Sequence, residues 1–224
     1  MHSKVDEVLI MHTRSLGTNH EGLSFNRGVG DDIVDGFILA SLRFLTIHHR
    51  EEAICEAHRK TCLWIFKSGS QSTIDSRPWS NFVNWLLNDG SIYWINGKAG
   101  SGKSTLMKYI HHNPDTVRHL RSWTGNAKLQ VAHYYFWNGG SEDQRSHTGL
   151  LRSLLFEILN SRRDLIRRVF ANEWNEKRLL VDHIKVFNEP LSWLWPLGRL
   201  EKALADLEIV FTDRFKLCLF IDGE

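Results

Sequence analysis

Nine consecutive residues carry the clearest chemical signal in the sequence. The first eight fit the pattern Gly-x-x-x-x-Gly-Lys-Ser/Thr, and the nine are Gly97, Lys98, Ala99, Gly100, Ser101, Gly102, Lys103, Ser104 and Thr105. A loop with several glycines can turn its backbone N–H groups toward one anion, because no Cβ atom blocks the approach. A helix that starts in the loop adds the positive end of its dipole. The segment therefore predicts a site that binds the phosphates of a nucleotide.

Three side chains of this loop have predicted individual roles. We expect Lys103 to contact the β- and γ-phosphates, Ser104 to ligate Mg²⁺ through its hydroxyl, and Thr105 to contact the α-phosphate. The sequence contains no Asn-Lys-x-Asp motif of the kind that reads guanine. The predicted ligand is ATP with Mg²⁺, although the residues present do not distinguish ATP from GTP.

A carboxylate near the end of the chain completes the predicted site. Lys216–Asp222 reads as a hydrophobic strand that ends in an acid. Proteins with this type of loop present such a carboxylate to the water shell of the magnesium ion. Many strands end at an acid without binding metal, so an ordinary strand-end aspartate is the alternative. We predict that Ser104 and Asp222 hold Mg²⁺, and we assign no catalytic residue.

The elements around the loop predict an α/β fold. Ile92–Ile95 precedes the loop as a short buried strand, and Lys103–Ile110 follows it as a helix. Two further strands are predicted at residues 131–137 and 217–221, with helices at residues 149–159, 164–180 and 199–207. Alternation of strands and helices favours a three-layer sandwich with a parallel sheet.

The residues before the loop have a weaker pattern. Residues 1–30 predict a loop or poorly ordered tail. Helices are predicted at residues 32–45, 50–66 and 78–87, with a polar linker that starts at Lys67. The predicted division is a poorly defined tail at 1–37, a helical lead-in at 38–67, a linker at 68–77 and a nucleotide-binding domain at 78–224.

Composition limits the partners. Lys and Arg number 28 against 26 Asp and Glu, and the net charge of +2 gives no electrostatic reason to expect nucleic acid or an anionic membrane. Three cysteines are too few for a disulfide scaffold. No stretch approaches the roughly 18 apolar residues of a membrane span. We therefore expect a cytoplasmic protein with no nucleic-acid or membrane partner.

The loop and its surroundings resemble a known family. The residues that carry the resemblance are Ile54–Phe66, Trp79–Leu87, Ile92–Lys108, Tyr134–Trp137, Ser146–Leu155 and Cys218–Gly223. Together they resemble the NACHT-type P-loop NTPases of large fungal proteins, which carry a nephrocystin 3-like N-terminal domain. The resemblance extends over residues 38–224.

The resemblance implies a STAND-type signalling ATPase. Such a domain is a nucleotide-dependent switch of a NOD-like receptor, in which nucleotide exchange drives oligomerisation. The implied partners are the nucleotide and either further copies of this chain or full-length NACHT relatives.

The sequence departs from the family pattern at its end. Members continue Asp-Gly-x-Asp-Glu, where this chain reads Asp222-Gly223-Glu224 and stops. The family also places a later strand between the strand before the loop and the strand that ends in Asp222. The resemblance therefore implies a truncated domain without competent hydrolysis, in which Ile92–Ile95 lacks both neighbours. The alternatives are a non-catalytic interaction or decoy fragment of a larger NACHT protein, and a small P-loop phosphotransferase.

Histidines and cysteines carry weaker signals for metal binding. Cys55, His58 and Cys62 share one face of a predicted helix but have no obvious fourth ligand, so we predict a structural role. Adjacent residues of a helix point about 100° apart. We therefore predict that His48–His49 and His111–His112 are surface or loop histidines rather than chelating pairs.

Overall fold

The computed structural model describes residues 5–12, 28–57, 61–67, 81–88, 92–181, 195–210 and 215–223. Its strands are β1 (Val5–His12), β2 (Ile92–Lys98), β3 (Lys128–Tyr135) and β4 (Phe215–Gly223). Its α-helices are α1 (Val29–Leu42), α2 (His49–Ala53), α3 (Phe82–Leu87), α4 (Lys103–His112), α5 (Pro114–Thr124), α6 (Glu142–Arg145), α7 (His147–Ser161), α8 (Ile166–Val169), α9 (Ala171–Val181) and α10 (Leu197–Val210). Short 3₁₀ turns cover Leu63–Phe66 and Arg163–Leu165. No helix within these ranges is long and apolar enough to cross a membrane.

The four strands form one sheet in the order β2-β1-β4-β3. Strands β3 and β4 are parallel, whereas β1 is antiparallel to both of its neighbours. Strands β2, β4 and β3 therefore point in one direction, and β1 runs against them. The predicted α/β class is confirmed, but the sheet is mixed rather than wholly parallel because of β1.

Strand β1 lies where the sequence predicts a tail. The loop predicted for residues 1–30 is wrong at Val5–His12, which pairs with β2 on one side and β4 on the other. Ile10 is fully buried and lies opposite Tyr93 and Phe220 in the sheet. Its pairing partners are distant in the sequence, so local pattern alone could not locate them.

The pairing of β1 also changes the expectation for β2. The sequence predicts that Ile92–Ile95 lacks both neighbours, because no strand follows Asp222 to lie beside it. That prediction is wrong, because all four residues are in register with β1. The N-terminal segment thus occupies the position between β2 and β4.

Helices cover both faces of the sheet. Along β4, Leu217 and Leu219 pack on one side and Cys218 and Phe220 on the other, as the two-residue period of a strand requires. The first side packs against α1, α7, α8, α9 and α10. The second side packs against α3, α4 and α5. The resulting architecture is the predicted three-layer sandwich.

Helix α1 is tied into this sandwich by buried polar contacts at its C-terminal end. Arg152 of α7 donates to the carbonyl oxygens of Ser41, Leu42 and Arg43, each at 3.2 Å. The indole N–H of Trp195 donates to the Ser41 hydroxyl at 2.9 Å. Carbonyls at a helix end lack partners within the helix, so Arg152 satisfies groups that would otherwise be buried without one. The boundary predicted between residues 37 and 38 falls inside this helix.

The single helix predicted at residues 50–66 is wrong. Helix α2 ends at Ala53, and Ile54 has an extended backbone with φ −73° and ψ 123°. The carbonyl oxygen of Ile54 accepts a hydrogen bond from Lys108 Nζ at 2.9 Å. Lys108 is 54 residues away, so local periodicity could not reveal that this carbonyl has a partner outside the helix.

Most other predicted elements are present with shifted bounds. Helices α1, α3, α4, α7 and α10 and strands β2, β3 and β4 match predicted elements. The helix predicted at residues 164–180 is divided into a 3₁₀ turn, α8 and α9. Helix α5 was not predicted, although Asn113 caps it and Pro114 begins it. The linker predicted at 68–77 lies outside the described residues, and the domain division stays a prediction.

Replacing Ile10 tests whether β1 belongs to the core. Ile10→Ala removes a fully buried side chain and should lower the free energy of unfolding by about 2–5 kcal/mol, measured by urea denaturation. The control is Val29→Ala, since Val29 is 82% exposed and its loss should change stability by no more than about 0.5 kcal/mol. Equal stability of the two variants would contradict the placement of β1 in the sheet.

Candidate functional site

The glycine-rich loop connects β2 to α4. Strand β2 ends at Lys98 and helix α4 begins at Lys103, so the loop lies at the carboxyl end of β2. Gly100 has φ +74° and Gly102 has φ +87°, in the left-handed region that side chains with a Cβ rarely adopt. A Cβ on Gly97 would lie 2.9 Å from Ser101 Oγ. Gly100 and Gly102 are therefore needed for this backbone path, as the sequence pattern predicts, whereas a Cβ on Gly97 would require the Ser101 side chain to move.

The Lys103 side chain lies within this loop. Lys103 is 7% exposed, and its ammonium group donates to the carbonyl oxygens of Gly97 at 2.9 Å and Lys98 at 2.7 Å. A third contact, at 3.3 Å, joins it to Ser101 Oγ. These contacts hold the ammonium group between the end of β2 and the first turn of α4, where the helix dipole favours negatively charged ligands.

Helix α4 holds the loop against the core. Leu106, Met107 and Ile110 are buried between this helix and the sheet. Lys108 donates to the Ile54 carbonyl at 2.9 Å, which joins the helix to the segment after α2. Ser104 and Thr105 lie in the first turn and are partly buried. These contacts fix the direction in which the first backbone N–H groups of the helix point.

Asp222 lies at the same edge of the sheet as the loop. Val8 of β1 is in register with Ile95 on one side and with Asp222 on the other. The two positions are therefore level across the sheet and two strand spacings apart, about 9.5 Å. Asp222 is 1% exposed, and its backbone carbonyl accepts from the Phe136 N–H at 2.9 Å. The structure brings the predicted carboxylate to the edge that carries the loop.

The charge of Asp222 acts on a neighbouring phenol. Tyr135 lies beside Asp222 in the β3–β4 register. Burial raises the pKa of Tyr135 well above its ordinary value, and the negative charges of Glu51 and Asp222 add to the effect. The phenol therefore stays protonated at neutral pH.

One end of β1 is part of this region, although the sequence pattern does not predict it there. Asp6 is in register with Gly97, and Val5 with Lys98. The backbone of the N-terminal strand thus runs alongside the start of the loop. The available signal was the apolar run Val8–Met11, which is short and surrounded by polar residues.

The prediction for the histidine pair in α4 needs correction. His111 is largely buried, and both His111 and His112 lie near the Glu51 carboxylate. The prediction is therefore wrong for His111, whereas His112 is 57% exposed, as predicted for a surface residue. The helical face predicted for Cys55, His58 and Cys62 does not reach either cysteine, since α2 ends at Ala53, and His58 lies outside the described residues.

Comparison with known families finds a match over the part of the chain that contains the loop. The family model described as "Nephrocystin 3, N-terminal" matches residues 60–223, which is more than half of the chain. The match includes the glycine-rich loop and Asp222.

The chain belongs to the nephrocystin 3 N-terminal family. This match confirms the predicted resemblance to the nephrocystin 3-like N-terminal domain and supports a NACHT-like domain. The fungal origin, the STAND class and the truncation stay predictions. No curated protein and no solved structure matches the sequence. Within the family match lie β2, β3 and β4, whereas β1, α1 and α2 precede it.

Two glycine substitutions test the loop geometry with opposite expected signs. Gly102→Ala forces a Cβ into φ +87° and should lower the free energy of unfolding by about 1–2 kcal/mol. Gly36 lies inside α1 with open space at its Cβ position, so Gly36→Ala should raise stability by about 0.5–1 kcal/mol. Urea denaturation measures both, and a Gly102→Ala variant as stable as wild type would contradict the loop conformation.

Proposed function

We propose that this chain is a nucleotide-binding domain that binds ATP with Mg²⁺ and acts as a NACHT-type signalling switch. The observation that carries the proposal is the loop between β2 and α4, with left-handed Gly100 and Gly102 and the Lys103 ammonium held inside it. A loop that only connected the strand to the helix would not require a buried ammonium group at the start of that helix.

Phosphate binding follows from the donors of the loop. The backbone N–H groups of residues 97–105 and the first turn of α4 are the anion-binding elements. Lys103 exchanges its contacts with the Gly97 and Lys98 carbonyls for contacts with the β- and γ-phosphates. The exchange favours binding, because a hydrogen bond between two charged groups is stronger than one to a neutral carbonyl.

The oxygen ligands near the loop suit magnesium. Mg²⁺ binds hard oxygen ligands and keeps several water molecules. Ser104 supplies a hydroxyl in the first turn of α4, and Asp222 supplies a buried carboxylate at the same edge of the sheet. In this proposal Ser104 ligates the ion directly and Asp222 contacts it through its water shell. Bound Mg²⁺ neutralises phosphate charge.

The switch function rests on family membership. Within it, we propose that nucleotide binding at the loop controls association with further copies of the chain or with larger NACHT relatives, in the cytoplasm. We assign no catalytic residue, so the proposal concerns binding and not turnover.

The Lys103→Ala variant tests the phosphate contact. Loss of a charged hydrogen-bonding group should weaken the affinity for a fluorescent ATP analogue with Mg²⁺ by roughly 10–100-fold. Lys128→Ala makes the same change of charge at the opposite end of the sheet, at the start of β3, and should leave the affinity unchanged. Circular dichroism confirms the fold of each variant. Equal affinity of wild type and Lys103→Ala would overturn the proposal and favour an interaction fragment.

The Asp222→Asn variant tests the magnesium site separately. The substitution keeps the size of the side chain and removes its charge. Wild-type affinity for the ATP analogue should be higher in Mg²⁺ than in EDTA. In Mg²⁺, Asp222→Asn should bind the analogue roughly tenfold more weakly than wild type, because the carboxylate no longer holds the water shell of the ion. Unchanged affinity in EDTA serves as the internal control. A variant with the full magnesium effect would exclude Asp222 from the site.

A further inference from the structure

A second group of chemically active side chains lies at the other end of α4 from the glycine-rich loop. His111 and His112 are the last two residues of α4, and Glu51 of α2 lies against both. His133 of β3 and Glu157 of α7 extend the group into the protein. We call these five residues the His-Glu cluster. Nothing in the nucleotide-binding proposal uses them.

The distances around Glu51 are close to those of a metal site. Oε1 of Glu51 is 2.8 Å from His112 Nε2 and 3.6 Å from His111 Nδ1. The three ligand atoms all lie within 4.8 Å of one another. A tetrahedral zinc ion with bonds of about 2.0–2.1 Å requires ligand atoms about 3.4 Å apart. The three atoms are therefore already close to the spacing that a zinc ion requires.

His111 has a nitrogen available for a metal. Its Nδ1 atom is buried and has no hydrogen-bond partner among the described residues, since the nearest Glu51 oxygen is 3.6 Å away. Burial lowers the pKa of His111, more than its contact with Glu51 raises it. A buried ring nitrogen without a hydrogen-bond partner is an atom that a bound metal ion would satisfy.

Glu51 is ionised. Burial alone would raise the pKa of the Glu51 carboxyl, but its contacts with His111, His133 and His112 lower it far below its usual range. The Glu51 carboxylate lies against both histidines at the C-terminal end of α4, where the helix dipole favours a bound cation.

His133 is a supporting residue rather than a ligand. Its Nε2 lies 2.9 Å from Glu51 Oε2 and its Nδ1 lies 3.0 Å from Glu157 Oε1, so a carboxylate faces each nitrogen. Burial lowers the pKa of His133, but the hydrogen bonds to Glu157 and Glu51 outweigh it and raise the pKa to about 9. Both ring nitrogens already contact a carboxylate, so neither is left for a metal ion. This argues against the rival group His48, His133 and Glu157, whose ligand atoms also lie close together.

We propose that Glu51, His111 and His112 bind a divalent transition-metal ion of the zinc class. Two imidazoles and one carboxylate are a common set of protein ligands for zinc, and a water molecule completes the four-coordinate site. His112 is 57% exposed, so the ion enters from solvent on that side. His133, held by Glu157, orients the Glu51 carboxylate in the manner of an outer-shell partner.

The experiment is a zinc titration of the full chain in competition with a chromogenic zinc indicator, with stoichiometry from native mass spectrometry. Wild type should bind one Zn²⁺ tightly, and His111→Ala, His112→Ala and Glu51→Gln should each weaken binding at least tenfold. His112→Ala is the decisive variant, because its exposed side chain can be removed without opening the core. His48→Ala is the matched control from the rival group and should bind zinc as wild type does.

The spectrum of the Co²⁺ complex distinguishes metal binding by these three residues from metal binding by a cysteine thiolate. Cys55 is exposed and is the alternative anchor for a transition metal. The Co²⁺ complex should lack the thiolate-to-cobalt charge-transfer band, and Cys55→Ser should keep wild-type zinc affinity. The proposal is overturned by a thiolate band, by the absence of a one-to-one zinc complex, by equal zinc affinity of wild type and His112→Ala, or by loss of zinc binding in His48→Ala.

Discussion

The pairing of strand β1 with two neighbours is the constraint on which the rest of the structure depends. β2 carries the glycine-rich loop, β4 carries Asp222, and these two strands do not pair with each other. The backbone of β1 lies between them and sets both their separation and their register, because Val8 is opposite Ile95 and Asp222 at once. A chain segment that precedes the family match thus holds the two halves of the proposed nucleotide site at one edge of the sheet.

Helix α4 connects the two candidate sites. It begins at Lys103 in the loop and ends at His112 in the His-Glu cluster, about 13.5 Å further along the helix axis. Its middle is buried against the sheet through Leu106, Met107 and Ile110. Glu51, like β1, precedes the family match. The N-terminal part of the chain therefore contributes to both ends of this helix.

Local patterns in the sequence predict the parts of the molecule whose structure is set locally. The loop from Gly97 to Thr105, the strand before it and the helix after it follow from residue types at short spacing, and so does the position of Asp222 at a strand end. Contacts between distant residues determine what could not be predicted. The partners of β1 lie far along the chain, the end of α2 depends on a carbonyl bonded by Lys108, and His111 and His112 converge only because Glu51 packs against the end of their helix.

Hydrogen–deuterium exchange of the full chain, with and without ATP and Mg²⁺, is the most direct test of the central claim. The claim is that β1 pairs with β2 and β4 and thereby positions the glycine-rich loop and Asp222 to bind a nucleotide. Without nucleotide, the amides of residues 5–12 should exchange as slowly as those of β4, because both strands pair on two sides. With nucleotide, residues 97–105 should gain protection, since their N–H groups then donate to phosphate. Fast exchange of residues 5–12, or unchanged exchange of the loop at saturating ATP and Mg²⁺, would contradict the account.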